Sequence, residues 1–367
     1  MSDVDLAVVG GGPAGLATAI GARMAGLTVR LFDRATPPID KPCGEGLMPD
    51  GVECLQDLGI ETASLGRPFA GIRYLTEDLQ AEGHFPAGFG QGIRRTTLHT
   101  ALVDRADQVG ANLHWGCAVE GIDEHMLRTS DGTLRADWIV GADGLHSQVR
   151  KWLDIPVSLG RPRFGIRRHF EIEPWSDLVE VYWGKGCEAY VTPVSERQVG
   201  VAMLRGSSKE RFDTLLAGFP RLAAHLADAP ACSRDRGCGP LWSIPGSIQR
   251  GHVALVGDAA GYLDAITGEG LSLAFHQSRA LIRAIISKDP RSYAVSARRL
   301  GRWPGALIRA LLFVEERPRL RNRLIRTLAA DRRLFSRLLA VHAKQLHPRD
   351  LGVLDAGRLL LGLATSG

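Results

Sequence analysis

The stretch DLAVVGGGPAGLATAIGARMAGLTVRLFDR, Asp5 to Arg34, constrains the fold more than any other part of the chain. Leu6 to Val9 is a short apolar run of the kind a buried parallel strand requires. Gly10, Gly12 and Gly15 follow it as G-x-G-x-x-G. Ala14 to Ala25 is rich in small and apolar residues and predicts a helix; Gly26 ends it, and Thr28 to Phe32 predicts a second strand closed by Asp33. Each part has a physical task. Gly10 permits the tight turn, Gly12 lets the backbone approach a pyrophosphate, and Gly15 lets helix and strand pack closely. The helix N-terminus offers free N–H groups and a positive dipole end to phosphates. Asp33 stands 18 residues past Gly15, where a carboxylate can accept ribose hydroxyls. A strand, three glycines, a helix, a second strand and an acid in this order predict a dinucleotide-binding βαβ unit.

Length and cysteine usage narrow the class. A chain of 367 residues exceeds one small core and suggests one large or two interleaved domains. The N-terminus enters a strand without a basic stretch and an apolar one before it, so no secretory signal is expected, and no apolar run is long enough to span a bilayer. A cytoplasmic protein is the expectation, with membrane association as its variant. Cys43, Cys54, Cys117, Cys187, Cys232 and Cys238 are scattered without a C-x-x-C or paired-histidine spacing, so neither a zinc site nor a disulfide scaffold is expected.

Two later stretches repeat the pattern of an apolar strand entering an acidic corner. WIVGADGLHSQVR, Trp138 to Arg150, runs into Asp143-Gly144. GHVALVGDAAGYLDAITGEGLSLAF, Gly251 to Phe275, runs into Gly257-Asp258, then a glycine-rich turn, then a helix from about Gly270. With the first motif these resemble the glutathione-reductase-like FAD fold in its aromatic-hydroxylase and geranylgeranyl-reductase branch, over most of the chain to about residue 290. The resemblance implies FAD as cofactor and NAD(P)H as a transient donor that leaves no fold of its own. It implies that Gly10, Gly12, Gly15 and Asp33 form the ADP-binding turn and that Pro13, Ala14, Arg34 and Val119 also bind the cofactor. Arg95 would open a helix and reach the phosphate or ribityl region. Asp143 and Gly144 match an Asp-Gly motif associated with both FAD and the donor. Gly257 and Asp258 would hold a ribityl hydroxyl, and Gly268, Glu269 and Gly270 would set N–H groups near the pyrimidine edge. A proline usually precedes this TGEG run; here the chain reads Asp264-Ala265-Ile266, which predicts a less rigid turn.

The segment KPCGEGLMP, Lys41 to Pro49, would then pass the isoalloxazine ring. Gly44 and Gly46 allow close backbone approach. The resemblance places a cysteine followed by glycines here in the reductases and other small residues in the hydroxylases. Cys43 is read as a small residue beside the ring, as a modulator of a bound olefin or of ring protonation, or as a covalent tether. Glu45 is read as a turn residue facing water or as a proton relay, with the balance toward water because Glu is seldom buried without a partner.

Four further runs, RFGIRRHFEIE, DLVEVYWG, CEAYVTPVSE and RQVGVAMLRG, predict strands with short turns between them. They resemble the sheet that roofs the flavin in the hydroxylases. Tyr182, Tyr190 and Trp242 are candidate substrate contacts, and His169, mid-strand, is a candidate base alongside Glu45. LWSIPG, Leu241 to Gly246, lacks the second tryptophan of the halogenase motif, and no lysine occurs between Lys41 and Lys151, so halogenation is disfavoured.

Residues 298–367 carry 15 Lys and Arg against 5 Asp and Glu, a net of +10 in a chain whose total is +5. Leu320, Leu324, Ile325, Leu328, Phe335, Leu338 and Leu339 recur there at helical spacing between arginines. This predicts helices that pack on the FAD domain with a solvated basic face, or that rest on anionic lipid. No nucleic-acid recognition motif is present.

The expected architecture is therefore α/β. A Rossmann-like FAD-binding domain (1–68, 94–159, 242–299) is interleaved with an antiparallel substrate sheet (69–93, 160–241), and a helical segment (300–367) follows. The expected function is an FAD-dependent monooxygenase that hydroxylates a phenolic or polyketide-derived ring, with or without a lipid tail, using NAD(P)H and O₂. The alternatives are a reductase of isoprenoid C=C bonds and a non-catalytic lipid carrier on the same fold.

Overall fold

The computed structural model describes residues 2–365. Met1, Ser366 and Gly367, at the ends of the predicted 1–68 and 300–367 spans, lie outside the described residues.

The first strand, Val4–Val9, is the centre of a parallel sheet. Val29–Asp33 pairs with it on one side and Gly132–Gly141 on the other. Asn112–Trp115 extends the first side and Val253–Leu255 the second, all parallel. Strand order therefore reverses at Val4–Val9, and the three motif corners leave the carboxyl ends of three neighbouring strands. In open α/β sheets this is where a crevice for a ligand forms. The strands are apolar on both faces because both are covered. Leu6, Val8 and Leu31 pack with Leu16 and Ile20 of the helix Pro13–Met24 and with Phe275 and Leu281 of the helix Gly270–Ile286. Ala7, Val9 and Phe32 pack with Val149 and Leu255 on the opposite face.

The four predicted strand runs form Phe164–Glu171, Val179–Trp183, Cys187–Ser195 and Gln198–Arg205. With Gly71–Leu75, Gln80–His84 and Arg236–Cys238 they make a seven-stranded sheet. It is antiparallel except where Val179–Trp183 lies parallel to Gly71–Leu75. A small sheet of Gly46–Leu47, Gly90–Gly92 and Arg67–Phe69 joins the two layers.

The C-terminal helices differ from expectation in what they cover. Pro318–Ala330 and Arg332–His342 pack on the edge strand Gln80–His84 of the second sheet, not on the FAD-side sheet. Phe335 lies flat on Gly83, where an added Cβ would come 2.9 Å from its ring. The helix Pro290–Glu315 runs unbroken through position 300 and carries Pro304 inside it. The basic composition begins at residue 298, but the element does not.

Candidate active site

The first corner is built by contact. A Cβ at Gly15 would sit 1.9 Å from the carbonyl oxygen of Gly10, and one at Gly10, where φ is +110°, would sit 2.5 Å from that of Ala142. At Gly12 the space is open: the nearest atom to an added Cβ is Nη2 of Arg95, 3.8 Å away. Gly12 is the N-cap of the helix Pro13–Met24 and no side chain caps it, so the N–H groups of its first turn face that space. Arg95 opens the helix Arg95–Gln108, is buried, and has an Nε without a partner among the described residues. Burial pushes its pKa down, while Asp258 and Glu45 are among the charges favouring the cation. Open room between a glycine, a free helix N-terminus and an unsatisfied guanidinium fits a pyrophosphate.

Asp33 accepts from the N–H of Gly11 (2.7 Å) and of Ala35 (2.8 Å). Arg34 is exposed beside it, and Val119 begins the strand Val119–Asp123, half-buried against the opposite face of the sheet. Two residues of this corner escaped the motif reading. A Cβ at Gly11 would strike the ring of Trp115 at 2.3 Å, and His99 Nε2 lies 2.8 Å from the Gly11 carbonyl. Neither partner stands at a spacing that marks it in the chain.

The second and third corners are tied together by Arg150. Its guanidinium donates to the carbonyls of Asp258 (3.1 Å), Ala259 (2.9 Å) and Leu145. Asp143 is engaged on one side by the chain itself. Its Oδ2 accepts from the N–H of Gln148 (2.6 Å) and Val149 (3.2 Å) and so caps the helix Gln148–Trp152. Its Oδ1 is buried with no partner among the described residues, and Gly144 rather than Asp143 lines the cavity. Asp258 makes no cap hydrogen bond and does line the cavity. Burial raises its pKa, opposed by Arg95, Lys41 and Arg150.

The TGEG turn holds without its proline. Asp264, buried, accepts from the N–H of Ile266 at 3.0 Å and stands 3.5 Å from Arg163 Nε. Gly268 and Gly270 line the cavity; Glu269 does not, and lies buried 3.5 Å from Nδ1 of His342. His342 Nε2 is 3.0 Å from the carbonyl of Thr267, so the helix Arg332–His342 braces this turn.

The CGEG strap is pinned from beneath by a buried polar cluster. Glu45 takes φ +60°, a costly conformation for a residue with a Cβ. It is 3% exposed, so the expected water-facing turn is corrected: the carboxylate turns inward because partners await it there. Oε1 accepts from the N–H of Arg95 (2.8 Å) and stands 3.6 Å from Arg167; Oε2 is 2.5 Å from His169 Nε2. His169 Nδ1 lies 2.9 Å from Ser233 Oγ, and Arg167 Nη2 donates to Asp40 (2.6 Å). Burial pushes the His169 pKa down, against the pull of Glu45. His169 itself does not line the cavity; it stands behind Glu45. Cys43, half-buried, does line it, with Sγ accepting from the Glu45 N–H at 3.3 Å. Burial pushes its thiol up. Thr192 anchors the strap from the roof by donating to the carbonyl of Gly44 at 2.8 Å.

One cavity of about 460 Å³ connects these parts. Its polar end is Gly12, Cys43, Arg95, Gly144 and Asp258. Its apolar end is formed by Ile72, Val181 and Leu204 of the roof and by Leu324, Leu328, Phe335 and Leu338 of the C-terminal helices. Tyr190 lines it and donates to the carbonyl of Ile266 at 3.1 Å. Tyr182 and Trp242, expected beside it, lie elsewhere. Tyr182 faces the other side of its strand, with its ring on Phe219 and its hydroxyl donating to Glu180 at 2.7 Å. Trp242 packs over Gly160. Alternation along a strand puts only every second residue on the cavity face.

All six cysteines are free, and among the described residues no group of three or more metal-ligating side chains could hold an ion. No helix among them is long and apolar enough to cross a membrane.

The profile of the FAD binding domain matches residues 3–213. The chain belongs to the FAD binding domain family. It is an FAD-dependent oxidoreductase, which leaves the non-catalytic carrier without support. A menaquinone reductase of Mycobacterium tuberculosis is 25% identical over 321 residues, covering 78% of this chain and 77% of that protein. A 2-heptyl-3-hydroxy-4(1H)-quinolone synthase of Pseudomonas aeruginosa is 28% identical over 315 residues, covering 75% and 79%. A solved flavoprotein/dehydrogenase of Cytophaga hutchinsonii superposes with a TM-score of 0.83 at 15% identity over 99% of this chain and 98% of its own, which shows the fold.

Proposed function

We propose that the protein is a monooxygenase that hydroxylates an electron-rich aromatic ring bearing an apolar tail, with NAD(P)H as donor. The observation that carries this reading is one continuous cavity with a polar end among the three corners and an apolar end between the roof and the C-terminal helices. Bound FAD would supply the hydride-transfer and oxygen chemistry. The chain does the rest. Gly12, the helix N-terminus and Arg95 would hold the pyrophosphate, Asp33 the ribose, Asp258 a ribityl hydroxyl, and the N–H groups of Gly268 to Gly270 the pyrimidine edge. Tyr190 and the apolar wall would seat the substrate and exclude water.

Glu45 would take a ring hydroxyl's proton at a carboxylate oxygen, with His169 Nε2 next and Ser233 as the way out. Ser233 suits this because its hydroxyl serves both tautomers of His169. It donates to Nδ1 in one, and in the other it accepts from Nδ1–H while donating to the carbonyl of Arg234 at 3.4 Å. The quinolone synthase supports the substrate class, since its named product carries a heptyl chain and a ring hydroxyl.

A second reading, reduction of an isoprenoid double bond, draws on Cys43 at the cavity wall and on the menaquinone reductase. A thiol whose pKa is raised by burial keeps its proton at neutral pH and could hand it to a carbon centre. The test is to load the enzyme with FAD and follow NAD(P)H oxidation and O₂ uptake with alkyl-substituted phenols and quinolones. Stoichiometric O₂ uptake and a product heavier by one oxygen are expected. Turnover only without O₂, on a polyprenyl lipid, reverses the ranking.

A further inference from the structure

The apolar end of the cavity reaches the helices Pro290–Glu315 and Val353–Thr365, where Trp303, Leu307 and Val314 of the first and Leu359 of the second form its wall. These two helices also carry large apolar side chains outward. Leu354 is 77% exposed, Leu360 67% and Phe313 53%. Large apolar side chains held out on helices that also wall a cavity call for a use. Exposed arginines stand on the same segment: Arg302 and Arg309 on the first helix and Arg319 on the next, and Arg317 stacks on the ring of Phe313 at 3.6 Å. The charge is local to this region, since residues 298–367 carry a net of +10 while the chain as a whole carries +5.

We infer that this face docks on an anionic phospholipid bilayer and that the cavity opens into the lipid, so a tailed substrate enters without crossing water. Exposed leucines and aromatics enter the boundary between headgroups and acyl chains, while the arginines meet lipid phosphates. The complementary charge selects a bilayer over a neutral apolar partner. The same two helices supply the cavity wall and the exposed apolar side chains, which ties the docking face to the substrate's tail. The inference deepens the tailed-substrate reading given above, but its test does not depend on activity.

The experiment is co-sedimentation of the full-length FAD-loaded protein with phosphatidylcholine vesicles, with and without phosphatidylglycerol. Binding is expected only with the anionic lipid and is expected to fall at least about tenfold in ~0.5 M salt, where screening is short-ranged. Leu354→Asp/Leu360→Asp, outside the cavity wall, should lower binding by about tenfold or more with flavin content and thermal unfolding unchanged. Arg302→Glu/Arg319→Glu should lower it likewise and serves if the first pair disturbs the helix. No binding to anionic vesicles overturns the inference, as does equal binding to both vesicle types or undiminished binding of both variants. A dimer in sedimentation velocity that Leu354→Asp/Leu360→Asp dissolves also overturns it, because the patch would then belong to a second copy. Failure here with intact turnover of a soluble phenol would leave the hydroxylation reading standing.

Discussion

Gly12 and Gly15 are both glycines of one motif, yet the structure asks different things of them. At Gly15 a methyl group would collide with the Gly10 carbonyl, so Gly15→Ala should cost several kcal/mol and lower the yield of folded protein. At Gly12 the backbone is extended, with φ −74° and ψ 177°, and a methyl group meets only open space. Gly12→Ala should therefore fold with an apo melting temperature within about 2 °C of the parent, and lose flavin affinity by at least about tenfold. Equal flavin affinity in the two proteins, read by fluorescence titration, would show that no phosphate lies there.

Glu45 offers a second test. Glu45→Gln keeps the shape but not the carboxylate, and turnover should fall about a hundredfold or more with flavin content intact. The facing groups are Arg94, Arg95 and Arg167, with Cys43 on the same strap and Asp40 behind Arg167. Because the His169 pKa is pushed below its usual 6.5, the relay is ready above that pH, and the acid limb of kcat should lie below it. The Gln variant should lack that limb; an unchanged pH profile would make the cluster a structural pin for the strap and nothing more.

At the scale of elements, the C-terminal helices matter because they complete the cavity as well as bracing the FAD side. Leu328, buried on Pro318–Ala330, lines the apolar end. Leu328→Trp should occupy room for about two methylenes of a tail, worth about 0.8 kcal/mol each. Affinity for a long-tailed phenol should fall about tenfold while that for the bare ring stays unchanged, as calorimetry would read.

These helices were also the least legible part of the sequence. Leu324, Leu328, Phe335, Leu338 and Leu339 mark an apolar face by their spacing, but spacing does not say what that face meets. The partner is a glycine, Gly83, on an edge strand more than 200 residues earlier, and a lone glycine carries no pairing signal. The strands and the three corners were readable because their chemistry is local: a turn that only glycine fits, an apolar run, a following acid. Glu45, His169, Ser233 and Arg150 were not readable as a set, because burial of charge depends on partners that the fold alone brings together.

At the scale of the molecule, Asp50 ties three distant parts of the chain. It stands at the start of the helix Pro49–Asp57 and meets His276 at 3.1 Å and Lys344 at 2.7 Å. Burial there opposes its charge, but the His276 hydrogen bond and the Lys344 charge outweigh it and hold its carboxyl below the ordinary 3.8. A carboxyl with a depressed folded pKa stabilises above its unfolded value, and that contribution is lost as pH falls through the folded one. Asp50→Asn should cost about 1–3 kcal/mol at pH 7 in urea unfolding. The deficit should begin to shrink below about pH 4, where the unfolded chain takes up the proton, and vanish once pH falls through the lower folded value, where the parent loses the same charge.

The arrangement of the parallel sheet also has a consequence for biosynthesis. Residues 12, 95 and 258 meet only when the strand Val253–Leu255 has taken its place beside Gly132–Gly141. A ribosome that has released only the N-terminal half has made a glycine turn and an arginine with no opposing wall. Cofactor capture is thus a late event in the life of the nascent polypeptide, and a cell short of riboflavin would accumulate full-length apoprotein, not stalled fragments.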